Sequence, residues 1–109
     1  MIVSFINKDI REIFEDKYIT NENYSQIIAQ LLHNRIADLF SANSIYDIIV
    51  GSPKEIFIEN KSYFQIQLKD GYSIILKPVI VNSKETETNN TDWTKVNRIM
   101  ITEIRNGNV

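Results

Sequence analysis

The dipeptide Asp70-Gly71 constrains the fold of this sequence more than any other local feature. Asp-Gly is favoured in type I′ hairpin turns, because both central residues of such a turn need positive φ. In residues 64–69, just before it, apolar and polar side chains alternate, which is typical of a half-buried strand. Residues 72–81 have the composition of a returning strand, in which Pro78 must lie at a bulge, at an edge or near the strand end. The centre of the chain therefore predicts a β-hairpin.

The first 40 residues are mostly helical in their periodicity. Residues 2–5 form a short apolar segment that predicts a strand, and Asn7 is a suitable N-cap for a helix over about residues 8–17. In residues 24–40, apolar side chains recur on one broad helical face, which predicts a long amphipathic helix. His33, the only histidine, is expected on the solvent face of that helix, far from the sheet.

Short polar stretches separate these elements. Residues 20–23 resemble a capping region for the long helix, and residues 41–44 are expected to end it. Residues 45–49 suit one short turn that Ser44 could cap. These boundaries predict two helices before the strands begin.

Residues 52–62 allow two interpretations. Residues 52–55 resemble a capping box with proline at the first helical position, which would start a helix. Residues 56–58 are instead β-rich and are soon followed by the polar residues 59–62. We favour a strand, a turn and a strand.

The C-terminal part of the chain contains one polar segment and one strand pattern. Residues 82–92 hold no large apolar side chain, which predicts a surface loop. Trp93 ends this loop and is expected to close the core, although it could also anchor a partner. Regularly spaced apolar residues then predict a last strand over about residues 97–105.

The predicted elements follow the order β-α-α-β-β-β-β. Helices early in the chain and an antiparallel meander late in it imply an α+β fold. We therefore expect an N-terminal strand and two helices packed on a twisted antiparallel sheet of about four to five strands. The length of 109 residues fits a single domain, residues 1–109.

The composition excludes several kinds of protein and site. Without cysteine, the chain has no disulfide scaffold, no thiolate metal site and no thiol nucleophile. The acidic residues show no metal-ligand spacing, and there is no glycine-rich phosphate loop, so we expect no metal and no cofactor. The sequence shows neither a signal-peptide pattern nor an apolar run near the roughly 20 residues of a membrane span. We therefore expect a cytoplasmic protein without membrane association.

The charge balance limits binding to nucleic acids. The net charge is −2 and the isoelectric point is about 5.3, whereas nucleic-acid-binding domains usually depend on a basic surface. A nucleic-acid-binding surface on this chain would therefore have to be a local basic patch. Tyr63 and Tyr72 flank the predicted turns and could stack on bases, but they could equally be structural. Four cations in the sheet half could form the patch or be ordinary solvated strand charges: Lys54, Lys61, Lys77 and Arg98.

Three segments of the sequence resemble the HigB-like branch of the RelE/ParE toxin superfamily. The opening, MIVSFINKDIREIFED, is similar to the start of HigB-type plasmid maintenance system killer toxins. The block of residues 51–78 fits the family's segment between its second helix and its central strands without gaps. The stretch DWTKV at residues 92–96, followed by a hydrophobic strand, is similar to the tail of this branch. The resemblance extends over essentially the whole chain.

This resemblance implies a RelE-like fold and the toxin component of a type II toxin–antitoxin system. Such toxins are ribosome-dependent mRNA interferases, endoribonucleases that use no metal, and a small helix-turn-helix antitoxin neutralises them. The implied partners are therefore that antitoxin, the ribosome and mRNA. Cleavage through the 2′-hydroxyl needs a base, cations for the phosphorane charge and an acid for the leaving oxygen. The family supplies Lys and Arg on the sheet, with His or Tyr near the C-terminus.

The sequence departs from the family at the positions that carry this chemistry. Lys61 is the one cation of the usual turn that is kept. The resemblance therefore implies a toxin whose RNA cleavage is lost or attenuated. The alternative is a non-catalytic binding module of the same fold that pairs with a helix-turn-helix antitoxin or regulator. Five family positions are replaced: Phe57 stands for lysine, Asn60 and Ser73 stand for arginine, and Gly107 and Asn108 stand for the terminal acid–base pair.

Overall fold

The computed structural model describes residues 1–80 and 91–107. Of the predicted loop at residues 82–92, only Thr91 and Asp92 fall within these ranges, and Asn108 lies outside them. None of the helices in the described ranges has both the length and the apolar character that a membrane crossing requires. The described elements are, in order, β1 (Ile2–Phe5), α1 (Lys8–Glu15), α2 (Lys17–Asn23), α3 (Gln26–Ser41), a 3₁₀ turn (Ile45–Asp47), β2 (Lys54–Ile58), β3 (Lys61–Gln67), β4 (Tyr72–Pro78), a second 3₁₀ turn (Trp93–Lys95) and β5 (Arg98–Asn106).

The five strands form one mixed sheet in the order β1-β5-β4-β3-β2. The α+β class is confirmed, but the expectation of a purely antiparallel sheet was wrong, because β1 runs parallel to β5 with Ile2 opposite Arg98. The other three strand pairs are antiparallel. Tight turns force antiparallel pairing only between consecutive strands. Because β1 is separated from β5 by the rest of the chain, no local signal sets its direction.

Three helices precede β2, one more than predicted. Asp16 follows α1 and caps α2, since its carboxylate accepts the backbone N–H of Tyr18 at 2.9 Å. The prediction of a capping region at residues 20–23 was therefore wrong, because these residues lie inside α2. Ser25 caps α3 instead. Asn7 caps α1 as predicted.

The hydrophobic core lies between the helices and one face of the sheet. Trp93 closes it beside β3, as predicted: its side chain is 2% exposed and its ring centroid lies 4.7 Å from that of Phe64. The remaining core side chains come from alternate strand positions and from the inner helix faces. Among the most buried are Leu32, Leu39, Ile66, Ile74, Leu76, Ile99 and Ile101.

Two turns with positive φ connect the three antiparallel strands of the meander. Asp70 (φ 56°) and Gly71 (φ 82°) confirm the predicted hairpin turn, because a type I′ turn needs positive φ at both positions. Glu59 (φ 51°) and Asn60 (φ 65°) form a two-residue turn between β2 and β3, in which both central residues again have positive φ. The preferred interpretation of residues 52–62 as strand, turn and strand is therefore confirmed.

Gly51, just before β2, is predicted to be irreplaceable. Its φ is 85°, and a Cβ there would lie 2.6 Å from Ile66 Cγ2 and 2.7 Å from the Gln67 carbonyl oxygen. We predict that Gly51→Ala lowers the free energy of unfolding by roughly 2–4 kcal/mol, because backbone strain and overpacking combine. Gly107→Ala is the matched control, since the nearest atom to its Cβ would be the Gly71 carbonyl oxygen at 3.4 Å. Equal loss of stability in the two variants, measured by urea denaturation, would contradict this.

Candidate functional site

The two faces of the sheet have different surroundings. Residues opposite each other on neighbouring strands share a face, and successive residues alternate between faces. Phe64 and Leu76 are paired on the face that contributes to the core, whereas Gln65 and Ile75 are paired on the other. Every strand residue in the core cluster comes from the first of these faces. We call the second face the outer face.

The four predicted cations all belong to the outer face. Lys54 is opposite Gln65, Lys61 is on β3, Lys77 is opposite Met100, and Arg98 is opposite Ile2. None of the four cations forms an ion pair with another residue in the described part of the chain. The cations are spread over four neighbouring strands rather than along one edge.

Three of the sequence candidates line a single depression where the start of β3 lies beside the end of β4. Lys61, Tyr63 and Lys77 surround a volume of about 200 Å³. Lys61 is exposed, while Tyr63 and Lys77 are half-buried. The remaining walls come from Ser62, Pro78, Ile80 and Thr91. The side chains of Lys61, Lys77 and Tyr63 thus border the same depression.

Tyr72 lies on the opposite face from these residues. Its ring packs edge-on against Tyr24 on the helix side, with centroids 5.7 Å apart. Burial, and secondarily the neighbouring Tyr72, raises the pKa of the Tyr24 hydroxyl. Tyr24 is therefore protonated at neutral pH. The pair is a structural contact, and Tyr72 does not join Lys61 and Lys77.

Arg105 is a fifth cation of the outer face that sequence reasoning missed. It lies opposite Ser73, and its Nη2 is 3.1 Å from Glu103 Oε1. The pairing of β4 with β5 shifts between Ile75 and Leu76, which leaves one extra residue, Thr102, on β5. This bulge moves Arg105 onto the outer face. The sequence signal for this bulge was the spacing of three residues between Ile101 and Ile104, because apolar residues on one face of a regular strand are two residues apart.

Charge is segregated between the sheet and the helices. The described strand residues of the outer face include five cations and one carboxylate, Glu103, a formal charge of +4. Residues 7–47, which contain the helices, hold four cations and seven carboxylates, a formal charge of −3. An acidic chain thus presents one basic face. The low isoelectric point describes the whole chain and does not reveal this local basic patch.

The five positions at which the sequence departs from the resembled family carry neutral side chains or, at Gly107, none. Phe57 is 59% exposed on β2, and Asn60 lies in the turn that follows. Ser73 is buried on the outer face, and its hydroxyl oxygen accepts a hydrogen bond from Gln65 Nε2 at 3.1 Å. Gly107 donates its backbone N–H to the Gly71 carbonyl oxygen at 2.9 Å. Asn108 lies outside the described residues.

His33 is not the exposed residue that was expected. Its side chain is partly buried, and its Nε2 lies 3.3 Å from Oγ1 of Thr20, which is fully buried. The expectation was wrong because α2 had not been predicted, and α2 places Thr20 against this side of α3. His33 remains in the helical layer and takes no part in the outer face.

In the described part of the chain, no metal-ion site accompanies the basic outer face. Within residues 1–80 and 91–107, no cluster of three or more His, Asp or Glu side chains is arranged to hold a metal ion. The arrangement can attract and hold an anion through ammonium and guanidinium groups.

A chain of hydrogen bonds runs from the core through Ser62, which lines the depression. The Trp93 indole N–H donates to the Ser62 hydroxyl at 2.8 Å, and that hydroxyl donates to the Glu55 carboxylate. Ser62 is 5% exposed, so the indole cannot use water as a substitute acceptor. This chain ties the core at Trp93 to strands β2 and β3. The backbone that carries Lys61 and Tyr63 is held in place as a result.

Comparison with protein-family models, with curated proteins and with solved structures found no significant match.

We predict that Ser62→Ala lowers the free energy of unfolding by about 1–3 kcal/mol, because the buried Trp93 N–H loses its acceptor. The measurement is urea denaturation followed by the fluorescence of Trp93, the only tryptophan. The control is Ser41→Ala at the exposed end of α3, where a change below about 0.5 kcal/mol is expected. If the two variants were equally stable, the indole would not depend on Ser62.

Proposed function

We propose that this protein is a RelE/HigB-like protein that binds RNA on the outer face of its sheet and has lost most or all RNA cleavage. The observation that carries this proposal is the formal charge of +4 on one sheet face of a chain whose net charge is −2. Phosphate attraction supplies most of the affinity in sequence-independent nucleic-acid binding. A local basic face is sufficient for this, whatever the total charge.

The size of the depression favours one nucleotide unit over a larger ligand. Its volume of about 200 Å³ lies below the roughly 300–1,000 Å³ that is usual for small-molecule pockets. A phosphate between Lys61 and Lys77 would meet two ammonium groups, and a base could lie against the Tyr63 ring. Arg98 and Lys54, on the flanking strands, would hold neighbouring phosphates. An extended single strand that crosses the sheet uses all five side chains.

Loss of cleavage is argued from the replaced positions. Removal of one preorganised group that stabilises a transition state costs about 3 kcal/mol. Here a lysine and two arginines of the family pattern are replaced by Phe57, Asn60 and Ser73. Such losses are not additive, but several together leave little rate enhancement. Binding survives this loss because it depends on Lys61, which is kept, and on other cations of the same face.

The role of the depression can be tested with two double variants of equal charge. We predict that Lys61→Ala/Lys77→Ala weakens binding to a labelled single-stranded RNA and lowers the slope of log K against log salt by about 1.4, since each lost phosphate contact on a single strand contributes about 0.7. The measurement is fluorescence anisotropy at several salt concentrations.

The control for this experiment is Lys8→Ala/Lys17→Ala, which removes two exposed cations from α1 and α2. It makes the same change in net charge but should leave the salt slope unchanged. Equal weakening by both double variants would mean that only total charge matters, and the outer face would then not be the binding site.

The loss of cleavage has its own test. In a cell-free translation reaction, we predict that addition of the protein leaves mRNA intact, as judged by primer extension. Ribosome-dependent cuts that disappear in Lys61→Ala/Lys77→Ala would contradict the loss and would instead support an active toxin. The physical reason for the expected result is the lack of a general acid or base among the replaced positions.

A second candidate function is a binding module for a helix-turn-helix antitoxin or regulator. Ile49 is 88% exposed and Val50 is 54% exposed, and both line a depression of about 320 Å³ at the end of α3. Exposed apolar residues that line a groove often mark protein contacts. Asp38 and Asp47 on its walls would suit a basic partner. Co-purification with the product of an adjacent helix-turn-helix gene, without RNA binding, would favour this candidate over the first.

A further inference from the structure

We propose that β2 pairs in antiparallel fashion with β2 of a second copy of this chain. β2 is an edge strand whose only neighbour in the described sheet is β3. Edge strands are usually protected by proline, by a bulge or by inward-pointing charge. Lys54–Ile58 itself contains neither proline nor a bulge, since Pro53 lies just before it, and its two charges stand at its start. Its second half is apolar, with Phe57 59% exposed.

The backbone of β2 offers hydrogen-bonding groups to a partner strand. The pair Ile58–Lys61 closes a two-residue turn, which makes it a hydrogen-bonded pair. Hydrogen-bonded and non-bonded pairs alternate along an antiparallel ladder. The N–H and C=O groups of Glu55 and Phe57 therefore point away from β3, toward the free edge.

One register satisfies these groups best. If Ile56 lies opposite Ile56 of the second copy, Glu55 faces Phe57 in both halves of the contact. Two hydrogen-bonded pairs then form, with four N–H···O bonds in total. A register centred on Glu55 would oppose two like charges and form one such pair. A register centred on Phe57 would place Glu55 opposite Glu59 of the other copy, which is also a like-charge contact.

The two-fold symmetry of the contact supports a second copy of this chain as the occupant of the edge. In the favoured register, Lys54 lies opposite Ile58 of the second copy and Glu55 lies opposite Phe57, so no two like charges face each other directly. The symmetry repeats these pairs at the other end of the contact. Apolar Ile56 side chains meet at the centre. The strand is thus complementary to itself in hydrogen bonding and in apolar contact.

This arrangement would join two sheets into one of ten strands. An antiparallel pair keeps facing residues on the same face, so both outer faces would lie on the same side. If the outer face binds RNA, which is the proposed function, the dimer would present two basic faces to one strand. The self-association itself does not depend on RNA.

The contact should be weak enough to dissociate on dilution. A seam of five residues buries much less than the about 800 Å² per partner of a stable interface. We therefore expect a monomer–dimer equilibrium in sedimentation velocity runs over a wide range of concentrations. A protein that stays monomeric over the whole range would overturn the proposal.

The register can be tested with single cysteines, because the chain has none. In the favoured register the two copies of residue 56 form a non-hydrogen-bonded pair, with Cα atoms about 4.5 Å apart, within disulfide range. The two copies of residue 57 are offset by two positions and lie roughly 8 Å apart, beyond that range. Mild oxidation should cross-link Ile56→Cys at least about tenfold faster than Phe57→Cys, although Phe57 is the more exposed residue. Equal or reversed rates would contradict this register.

A charge pair at Phe57 gives a second test that does not depend on oxidation. Phe57→Glu would face Glu55 of the other copy and should abolish the dimer, whereas Phe57→Lys removes the same ring but creates an attractive pair and should retain it. Both variants should fold, since Phe57 is exposed. Equal association of the two would overturn the proposal. Because Lys61 and Lys77 are untouched, RNA binding by a monomeric Phe57→Glu variant would separate failure of the dimer from failure of the RNA-binding proposal.

Discussion

The alternation of core-facing and outer-facing positions along the paired strands β3 and β4 is the constraint on which the rest of the structure depends. Phe64 and Ile66 pair with Leu76 and Ile74 on the core face, and the side chains between them must then point outward. The same pairing that builds the core places Lys61, Tyr63 and Lys77 together on the outer face. A shift of one residue in this register would bury the lysines and expose the core. Core burial therefore holds the candidate site in place.

Separation of charge follows from this arrangement and explains how an acidic chain can bind an anion. The helices carry an excess of carboxylates, while the outer face carries an excess of cations. Screening at physiological salt limits the reach of exposed charges to about 8 Å, so a ligand on the sheet responds mainly to the local face. Total charge is a poor guide to the function of such a protein. In the proposed function, binding and catalysis separate, because the cations of the outer face would bind RNA without the acid and base that cleavage needs.

Local signals in the sequence were sufficient for elements whose cause is local. Asp70-Gly71 predicted its hairpin, and Asn7 predicted the start of α1, because turn and cap chemistry act over two or three residues. The parallel pairing of β1 with β5 was missed because it joins distant parts of the chain. The neglect of α2 led directly to the wrong placement of His33. For the candidate site, the sequence named Lys61, Tyr63 and Lys77, which line one depression, but the bulge at Thr102 concealed Arg105.

The most direct test of the central claim is a map of RNA contacts by residue. A single-stranded oligoribonucleotide would be titrated into ¹⁵N-labelled protein while backbone amide shifts are recorded. RNA binding on the outer face predicts the largest changes on β3, β4 and β5, around Lys61, Lys77 and Arg98, with little change on α1 and α3. The largest changes on the helices, or none anywhere at low salt, would contradict it.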